Sequence, residues 1–257
     1  MIDEKGSFRD PAGKIYYKEN RVFRKLTSQG VARFLALKES GIIKRSIDKG
    51  FLIGTEEILS GNSEKINKEE LILEHDKIPY ISYPYEWSFS QLKKAAIFHL
   101  DFHLFLLEND ATLIDASAYN IQFVGSKLKF IDVLSIQKYN EGEYWKGHKQ
   151  FCENFLNPLI LKSKKNIDFN NWFKGNLEGI TTKDLNSVLS FKDKISYDIF
   201  TQVVLLNFFE RKTIENNKID LKKIKKKKFP KRSFLSMLLN MRNFILSLNL
   251  KKSKTVW

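Results

Sequence analysis

The chain has 257 residues, of which 42% are hydrophobic, so it can bury a substantial core as one large domain or as two lobes that share an interface. Its net charge is +14, but residues 221–257 hold twelve Lys or Arg and no acid, which leaves 14 − 12 = +2 for the first 220 residues and argues against a nucleic-acid-binding body. One cysteine, no apolar leader and no run of about 18 apolar residues exclude an intrachain disulfide and predict a cytoplasmic protein without a spanning helix.

Residues 1–86 predict a small sheet lobe with one helix. The segment 14–26 contains two β-prone runs separated by Lys18-Glu19-Asn20, which is typical of a hairpin. A helix is predicted from Ser28, as its N-cap, to Glu39, with Gly41 just past its end. Short apolar runs at 51–58 and 71–83 predict further strands.

The pattern changes from strand-like to helix-like at Tyr83-Pro84-Tyr85-Glu86-Trp87, which predicts the boundary between two lobes. Ser88 and Gln91 have the spacing of a capping box, and a long helix is predicted from there to about Asn109.

Further helices are predicted by apolar periodicity in the second half of the chain. They lie at 145–158, ending at Pro158, near 183–189, and at 196–210, where an almost entirely apolar pattern predicts burial. A helical lobe is therefore predicted over residues 87–220, followed at 221–257 by a basic tail and an apolar helix.

The stretch 113–135, LIDASAYNIQFVGSKLKFIDVLS, concentrates the polar chemistry of the chain. It predicts a loop with Asp115 and Asn120, a hairpin that turns at Gly125-Ser126, and Asp132 at the exit of the second strand. Because a tight hairpin returns the chain near its start, we expect the three side chains to converge. Their oxygens suit Mg²⁺, and a carboxylate can orient or deprotonate the acceptor of a phosphoryl group. The alternative is an ordinary hairpin whose Asp and Asn cap the backbone.

The run Asp115-Ala-Ser-Ala-Tyr-Asn120, followed by Phe130-Ile131-Asp132, resembles the catalytic loop and metal-binding strand of the protein-kinase-like superfamily, which includes aminoglycoside and other small-molecule kinases. The resemblance implies an α+β, two-lobed fold with a small N-terminal antiparallel sheet lobe and a larger, mainly helical C-terminal lobe. It implies that Asp115 is the catalytic base, that Asn120 and Asp132 ligate Mg²⁺, and that ATP donates phosphate to a small molecule or saccharide.

The same resemblance implies roles for residues outside the loop. Tyr83 and Tyr85 lie in the segment where the adenine of ATP would sit. The strand cation that would hold the phosphates is Arg24 or Lys25, and Arg24 is favoured because alternation after Val22 puts it on the same face.

Three features depart from the superfamily pattern. Leu113 stands where a His usually precedes the catalytic aspartate, Leu134 stands where a Gly usually follows the metal-binding aspartate, and Gly13 stands alone where a glycine-rich phosphate loop is expected. The alternative is therefore a pseudokinase, which keeps the fold without catalysis. The sequence leaves open whether the chain is an enzyme.

A narrower resemblance links several segments to the amino-terminal, kinase-like half of bacterial two-domain proteins named SAM-dependent methyltransferases. The segments are GSFRDP at 6–11, ISYPYEW at 81–87, SQL at 90–92, DASAYN at 115–120 and QFC at 150–152. The closing Thr255-Val256-Trp257 resembles the start of the linker between the two domains, and the twelve glycines never occur as G-x-G, so a methyltransferase domain is predicted to be absent from this chain. The resemblance implies a methyltransferase domain or protein as a partner.

Two other features have alternative interpretations. His99 and His103 have the i, i+4 spacing of a zinc pair, but no third ligand is evident, and packing in a core is favoured. Residues 222–250 join a basic run to an apolar stretch, which would dock on an anionic membrane surface or, as the favoured alternative, pack on the body of the protein. Nucleic acid is not favoured as a partner, because the basic run has one aromatic residue, Phe229.

Overall fold

The computed structural model describes residues 2–3, 11–58, 71–204 and 229–250. Five strands form the N-terminal part: β1 (Ile2–Asp3), β2 (Gly13–Lys18), β3 (Arg21–Leu26), β4 (Thr55–Ile58) and β5 (Ile72–His75). They make one antiparallel sheet in the order β1-β2-β3-β5-β4. The central strand β3 is therefore hydrogen-bonded on both sides, which fixes the directions of its side chains.

The hairpin predicted at 14–26 is confirmed by strands β2 and β3. Glu19 and Asn20 connect the strands with φ values of 50° and 65°, the left-handed conformation that a tight two-residue turn requires. This turn sets the register in which Arg24 lies opposite Ile15 on one side, while β5 brings Leu73 opposite Arg24 on the other.

Helix α1 (Ser28–Glu39) has the predicted bounds, but its N-cap is Thr27 rather than Ser28. Thr27 Oγ1 accepts a hydrogen bond from the Gly30 amide at 3.3 Å, which satisfies one of the unpaired amide donors of the first turn.

Sequence reasoning missed the next helix, α2 (Ile42–Asp48). Gly41 does follow the end of α1, yet its φ of 71° also lets the chain turn directly into α2.

Gly30 is packed so closely that a side chain does not fit. A Cβ atom there would lie 2.0 Å from the carbonyl oxygen of Ala12, and that oxygen is held in place because it accepts a hydrogen bond from the Thr27 amide at 3.0 Å. We expect Gly30→Ala to lower the free energy of unfolding by about 1–3 kcal/mol, the usual cost of overpacking. Urea unfolding measures the change.

Gly175→Ala is the matched control, because no atom lies within 4 Å of a Cβ built at Gly175. It should leave the free energy of unfolding unchanged or raise it by up to about 1 kcal/mol. Equal stabilities of the two variants would contradict the close packing of α1 on the loop that contains Ala12.

A short 3₁₀ turn, Pro84–Glu86, connects the sheet to the long helix α3 (Phe89–Glu108). Ser88 Oγ accepts a hydrogen bond from the Gln91 amide, and Gln91 Oε1 accepts one from the Ser88 amide. The predicted capping box is therefore confirmed. Helix α3 is buried along most of its length and forms the centre of the C-terminal lobe.

Four strands and two 3₁₀ turns follow α3: β6 (Ala111–Leu113), the turn Ala118–Asn120, β7 (Ile121–Val124), β8 (Lys127–Phe130), the turn Val133–Ser135, and β9 (Ile136–Lys138). Strands β7 and β8 form the predicted hairpin, with Gly125 at a φ of 60° in its turn. Strand β6 pairs with β9 in a second antiparallel ribbon. The loop before β7 and the exit of β8 therefore lie between two small ribbons.

The segment 51–53 joins the sheet lobe to the β7–β8 hairpin through its backbone. The Phe130 amide donates to the Phe51 carbonyl at 2.8 Å, and the Ile53 amide donates to the Phe130 carbonyl at 2.9 Å. The Phe51 ring also stacks on Phe102 of α3, with 5.1 Å between ring centroids. Main-chain hydrogen bonds thus connect the two lobes in addition to the covalent connection through residues 76–88.

A continuous helical run over residues 148–165 lies behind the loop that contains Asp115. It alternates between α4 (His148–Phe151), a π-helical turn (Cys152–Leu156), α5 (Asn157–Ile160) and a second π-helical turn (Leu161–Lys165). The prediction that a helix ends at Pro158 is wrong. Pro158 is the second residue of α5, and the wider π-helical turn before it accommodates the ring and the missing backbone donor.

The remaining helical segments of this lobe are α6 (Asn170–Gly175), α7 (Thr182–Val188), α8 (Phe191–Lys194), α9 (Tyr197–Ile199) and a π-helical turn, Phe200–Val204. Helix α7 confirms the short helix predicted near 183–189. The helix predicted at 196–210 is described as far as Val204 and is not wholly buried, because Ile199 is inaccessible whereas Tyr197 is 79% exposed.

Helix α10 (Lys231–Ser247) packs along α3. Its apolar face is buried through Phe234, Leu238, Met241, Phe244 and Ile245. Arg242 Nε bonds Asp101 Oδ1 of α3 at 2.5 Å, and Lys93 Nζ donates to the carbonyls of Leu246 and Leu248 at 2.8 and 2.6 Å. The apolar stretch of the tail therefore lies against the body of the protein.

Within the described parts of the chain, no helix combines the length and the apolar character that crossing a bilayer requires. The basic run at 222–228, residues 205–210 of the predicted helix and the closing Thr255-Val256-Trp257 lie outside the described residues.

The predicted α+β class and two-lobed architecture are confirmed. A small antiparallel sheet with helices α1 and α2 forms the N-terminal lobe, and a larger, mainly helical part with two β-ribbons follows it. This is the arrangement that the resemblance to the protein-kinase-like superfamily implies. The residue boundaries of the lobes, 1–86 and 87–220, stay predictions.

Candidate functional site

Asp115 lies in the loop between β6 and the Ala118–Asn120 turn, and that loop is shaped by the helical run behind it. Gln150 Oε1 accepts a hydrogen bond from the Ala116 amide at 2.8 Å, and the buried Asn154 Oδ1 accepts one from the Ala118 amide at 3.0 Å. Side chains of residues 148–165 therefore satisfy amides that no strand or helix pairs. These two hydrogen bonds fix the position of the loop on the helical run.

The Asp115 carboxylate is largely buried, and burial raises its pKa above the usual 3.8. The Ser117 amide lowers the pKa through a hydrogen bond to Oδ1 at 2.8 Å, and the negative charge of Asp132 raises it. The side chains of Asn120 and Gln150 also face the carboxylate and lower its pKa. Asp115, Asn120 and Asp132 are thus neighbours, as the hairpin geometry predicts.

Asp132 lies at the exit of β8, where the Ile131 amide bonds the Asn120 carbonyl at 2.9 Å. Its Oδ1 accepts from Arg24 Nη1 at 2.6 Å and from the Leu134 amide at 3.2 Å, and its Oδ2 accepts from Ser135 Oγ. Burial opposes ionisation, but the positive charge of Arg24 and these hydrogen bonds lower the pKa of Asp132 below its ordinary value. Asp132 is therefore a carboxylate that stays ionised.

Arg24 reaches Asp132 from strand β3, across the boundary between the lobes. Its side chain is only 5% exposed, whereas Lys25 points to solvent. The neighbouring His75 is buried and bonds Thr55 Oγ1 through Nδ1 at 2.9 Å. Burial and then the charge of Arg24 lower the pKa of His75 to about 4, although Asp132 raises it. At neutral pH, His75 is therefore uncharged, whereas Arg24 beside it carries a positive charge.

Arg33 is a second arginine at the cleft, and sequence reasoning missed it. It extends from α1, and its Nη1 donates to the Leu134 carbonyl at 2.8 Å. In the sequence, Arg33 stands out only as a charged residue between Val31 and Phe34, which are buried in α1. This pattern does not identify its hydrogen-bond partner. Arg24 and Arg33 together hold both ends of the short segment from Asp132 to Leu134.

The two tyrosines predicted at the adenine position form an aromatic cluster beside the loop. Tyr83 and Tyr85 stack with ring centroids 5.2 Å apart and planes at 11°, and Tyr119 lies 6.4 Å from Tyr83. Burial raises the pKa of Tyr119 to about 12, and the charge of Tyr85, once that phenol is ionised, and of Glu178 acts in the same direction. Tyr83 itself is 41% exposed.

The segment before these tyrosines is bound to the hairpin by a buried amide. Gln122 of β7 accepts from the Ser82 amide through Oε1 at 3.0 Å and donates to the Ser82 carbonyl through Nε2 at 3.1 Å. Ser82 Oγ in turn accepts from Trp87 Nε1 at 2.9 Å. Sequence reasoning missed Gln122, because a polar residue in a short strand gives no signal of its partner.

Leu113 and Leu134, the two leucines that depart from the superfamily pattern, belong to the hydrophobic core. They are 0% and 2% exposed. The predicted core packing of His99 and His103 is also seen, since both are inaccessible and lie among the aromatic rings of Trp145, Phe151, Phe130 and Phe234. Among the described residues, no group of three or more His, Cys, Asp or Glu side chains could hold a metal ion by itself.

The oxygen atoms at the cleft nevertheless fit a magnesium site of the predicted kind. Asn120 supplies an amide and Asp132 a carboxylate with a lowered pKa, and Mg²⁺ is usually held by one or two such protein ligands while water and phosphate oxygens complete its shell. The charge partner of Asp132 is at present Arg24. The predicted roles of Asp115, Asn120, Asp132, Arg24, Tyr83 and Tyr85 stay predictions. The first four of these residues do lie together, and the two tyrosines lie beside Tyr119 of the same loop.

No family model matches the chain. It is 36% identical over 260 residues to the nodulation protein NoeA of Rhizobium meliloti (strain 1021), an alignment that covers 98% of this chain and 53% of the relative. The solved structure of vaccinia related kinase 3 is similar at 13% identity, with 98% of this chain and 82% of that chain covered and a TM-score of 0.38. The chain thus spans about half the length of the curated relative that it matches.

Proposed function

We propose that this chain is a kinase-like domain that binds ATP with Mg²⁺ and transfers phosphate to a small molecule or saccharide. The observation that supports the proposal is the convergence of Asp115, Asn120 and Asp132 with the buried Arg24. Two carboxylates, an amide oxygen and a guanidinium are the groups that phosphoryl transfer from a nucleotide needs.

Each side chain would have a distinct role. Asn120 and Asp132 would hold Mg²⁺, which neutralises phosphate charge when it is bound. Arg24 would bind phosphate oxygens, for which a planar guanidinium is well suited. Asp115 would orient the acceptor hydroxyl and accept its proton, a role that suits a carboxylate whose pKa is raised by burial.

The Arg24–Asp132 ion pair would exchange partners when the ligand binds. Arg24 Nη1 now lies 2.6 Å from Asp132 Oδ1, so the same two charges that would bind phosphate and metal neutralise each other in the free protein. A buried charge without a partner is costly. The ion pair would therefore keep both groups ionised until a ligand supplies the opposite charges.

A thermal-shift titration tests the proposal. Millimolar ATP with Mg²⁺ should raise the melting temperature, because a ligand that binds the native state stabilises it by mass action. Asn120→Ala should remove at least most of this rise. Asp115→Asn should keep the rise and lower phosphate transfer, measured as consumption of ATP in a screen of saccharide acceptors, by about 10²-fold or more, the contribution of general-base catalysis.

Asn140→Ala is the matched control for Asn120→Ala. Asn140 contacts Glu143 on the surface and lies outside the cleft, so its loss should leave the ATP response unchanged. If wild-type protein shows no shift with millimolar ATP and Mg²⁺, the proposal is wrong. An equal response from Asn120→Ala would remove Asn120 from the metal site.

A second candidate is a non-catalytic accessory domain that serves a methyltransferase. It is supported by the buried packing roles of Leu113 and Leu134, by the Arg24–Asp132 pair, and by a relative with about half of its length outside the match. In this case ATP with Mg²⁺ would bind without turnover, and Asp115→Asn would change no rate. Co-purification of the intact chain with a methyltransferase encoded beside it would favour this candidate.

A further inference from the structure

Helix α10 has two apolar rows, and only one of them is packed against the rest of the protein. The buried row, which includes Leu238 and Ile245, lies on α3. Leu239 and Leu246 each follow a residue of that row, so they are turned about 100° away from it around the helix. They are 46% and 43% exposed. Helix α10 therefore presents a second apolar row to solvent.

The outer side of α3 extends this apolar row into a surface. The two helices are joined there by Arg242 and Asp101, whose side chains lie 2.5 Å apart and neutralise each other. Ile97, Phe98 and Phe105 lie one turn from Asp101 on the same side of α3, and they are only partly buried. The two helices thus form one surface with apolar side chains that are open to solvent.

A groove of about 500 Å³ lies at one end of this surface, between the start of α3 and the end of α10. Phe89, Ile97 and Leu250 supply apolar walls, and Lys93 and Lys94 supply cations. Leu250 is 47% exposed. The groove therefore combines apolar surface with positive charge, which suits a ligand that is itself apolar and anionic.

The lysines at this end carry positive charges that no described acid neutralises. Lys93 donates to backbone carbonyls at the end of α10, and Lys94 donates to the Ser126 carbonyl at 2.6 Å, in the turn of the β7–β8 hairpin. Lys127 follows Ser126 and is exposed. None of the three lysines forms an ion pair with another described residue. The end of the surface is consequently basic.

We propose that this surface docks on an anionic lipid bilayer. The leucines would enter the boundary of the acyl chains, while the flexible lysine stems hold their ammonium groups among the negative headgroups. A protein partner fits this composition less well, because lysine is depleted in protein–protein interfaces. The buried row of α10 stays on α3 in this docking. The surface, here called the leucine–lysine face, is defined by Leu239, Leu246, Leu250, Lys93, Lys94 and Lys127.

Co-sedimentation of the intact chain with vesicles tests the proposal. The vesicles are phosphatidylcholine alone, or phosphatidylcholine with about 30% phosphatidylserine, which gives the bilayer a negative surface potential. The wild-type chain should partition at least about tenfold more strongly to the anionic vesicles, because each basic residue near such a surface contributes roughly a fivefold increase. Raising the salt concentration to about 0.5 M should weaken this binding by screening the charges.

Lys94→Gln with Lys127→Gln tests the basic end of the leucine–lysine face. The double variant should bind the anionic vesicles about tenfold more weakly than the wild-type chain. Lys14→Gln with Lys192→Gln is the matched control, since both lysines are exposed outside the face. It removes the same net charge and keeps the basic run at 222–228, so it should bind as the wild-type chain does.

Leu239→Ser with Leu246→Ser tests the apolar part. It should also weaken binding to the anionic vesicles about tenfold, because it removes apolar side chains that the bilayer would bury. Leu35→Ser with Leu177→Ser is the matched control, since these leucines are 42% and 55% exposed elsewhere, and it should bind normally. All eight positions are exposed, so the four variants should keep the melting temperature of the wild-type chain.

Weaker binding of both face variants, with both controls unaffected, supports the proposal. Equal binding of the wild-type chain to the two kinds of vesicle overturns it, and so does wild-type affinity in either face variant, because the basic run at 222–228 or another surface then accounts for the binding. A wild-type chain that binds neither vesicle also overturns it and leaves the face to a protein partner. None of these measurements involves ATP, so they test this inference separately from the proposed function.

Discussion

Asp132→Asn should lower the free energy of unfolding by about 3 kcal/mol or more, because it removes the negative charge that offsets the buried charge of Arg24. Asparagine keeps the volume, its single oxygen can still accept from the Leu134 amide, and its Nδ2 can donate to Ser135 Oγ in place of the bond that Asp132 Oδ2 accepts. The substitution removes the negative charge that lies 2.6 Å from Arg24 Nη1. Denaturant unfolding of both proteins at neutral pH measures the loss.

The double variant Arg24→Met with Asp132→Asn separates charge from packing. Methionine fills the space of the arginine stem without a charge, so the double variant should recover most of the stability that Asp132→Asn loses. Arg21→Met is the control, since Arg21 lies on the same strand as Arg24 and pairs with Glu74 of β5, but its side chain is half exposed. Exposed pairs contribute about 1 kcal/mol or less. A loss at Asp132 no larger than that at Arg21 would contradict the buried pair.

The pH dependence of stability should distinguish this pair from the buried histidine beside it. The pKa of Asp132 is depressed in the folded protein, so its contribution is present above the ordinary value of 3.8 and is lost as the pH falls through the folded pKa. The pKa of His75 is also lowered, to about 4, from 6.5. Its unfolded form takes up a proton first, which costs stability as the pH falls from 6.5 to about 4. Asp132→Asn should remove the more acidic phase and, because the charge of Asp132 raises the pKa of His75, should extend the His75 phase to lower pH.

Phe234→Ala should lower the free energy of unfolding by about 3–5 kcal/mol, the cost of truncating a buried phenylalanine. Phe234 is 1% exposed at the start of α10, and its ring lies 5.2 Å from His103 and 6.0 Å from Tyr139, measured between centroids. A cavity there would separate α10 from α3 at the end where Lys231 bonds Asp110 at 2.6 Å. Thermal and urea unfolding measure the loss.

Leu239→Ala on the same helix is the matched control. Leu239 is 46% exposed, and its truncation should change stability by no more than about 0.5 kcal/mol. If both substitutions were neutral, α10 would not be an integral part of the domain. Its apolar face would then be free for the anionic membrane surface that the basic tail also suits.

Those parts of the fold with a local signal could be predicted from the sequence. The β2–β3 hairpin has turn residues that tolerate positive φ, and α3 has a capping box in which Ser88 and Gln91 satisfy each other's amides. The β7–β8 hairpin follows from alternation around Gly125. Once these elements are predicted correctly, the proximity of Asp115, Asn120 and Asp132 follows, because the short hairpin brings the chain back to where it began.

Features that depend on distant partners could not be predicted. The pairing of Gln122 with Ser82 and of Arg33 with the Leu134 carbonyl joins residues 40 and 101 positions apart. Helix α2 was not predicted because Gly41 indicates the end of a helix. Its left-handed conformation ends α1 and also begins α2. Pro158 is tolerated only because a π-helical turn precedes it, and periodicity does not reveal such turns.

The backbone hydrogen bonds between the segment 51–53 and Phe130 have a consequence for how a ligand enters the cleft. Swinging the sheet lobe away from the hairpin would break both of them and uncover the stacked ring of Phe51. If a nucleotide binds as proposed, wide closure of the two lobes is therefore not the expected motion. Rotation of a few side chains, above all Arg24, would instead admit the ligand. Binding energy would then go into exchanging one set of charges for another, with little of it needed to reposition the lobes.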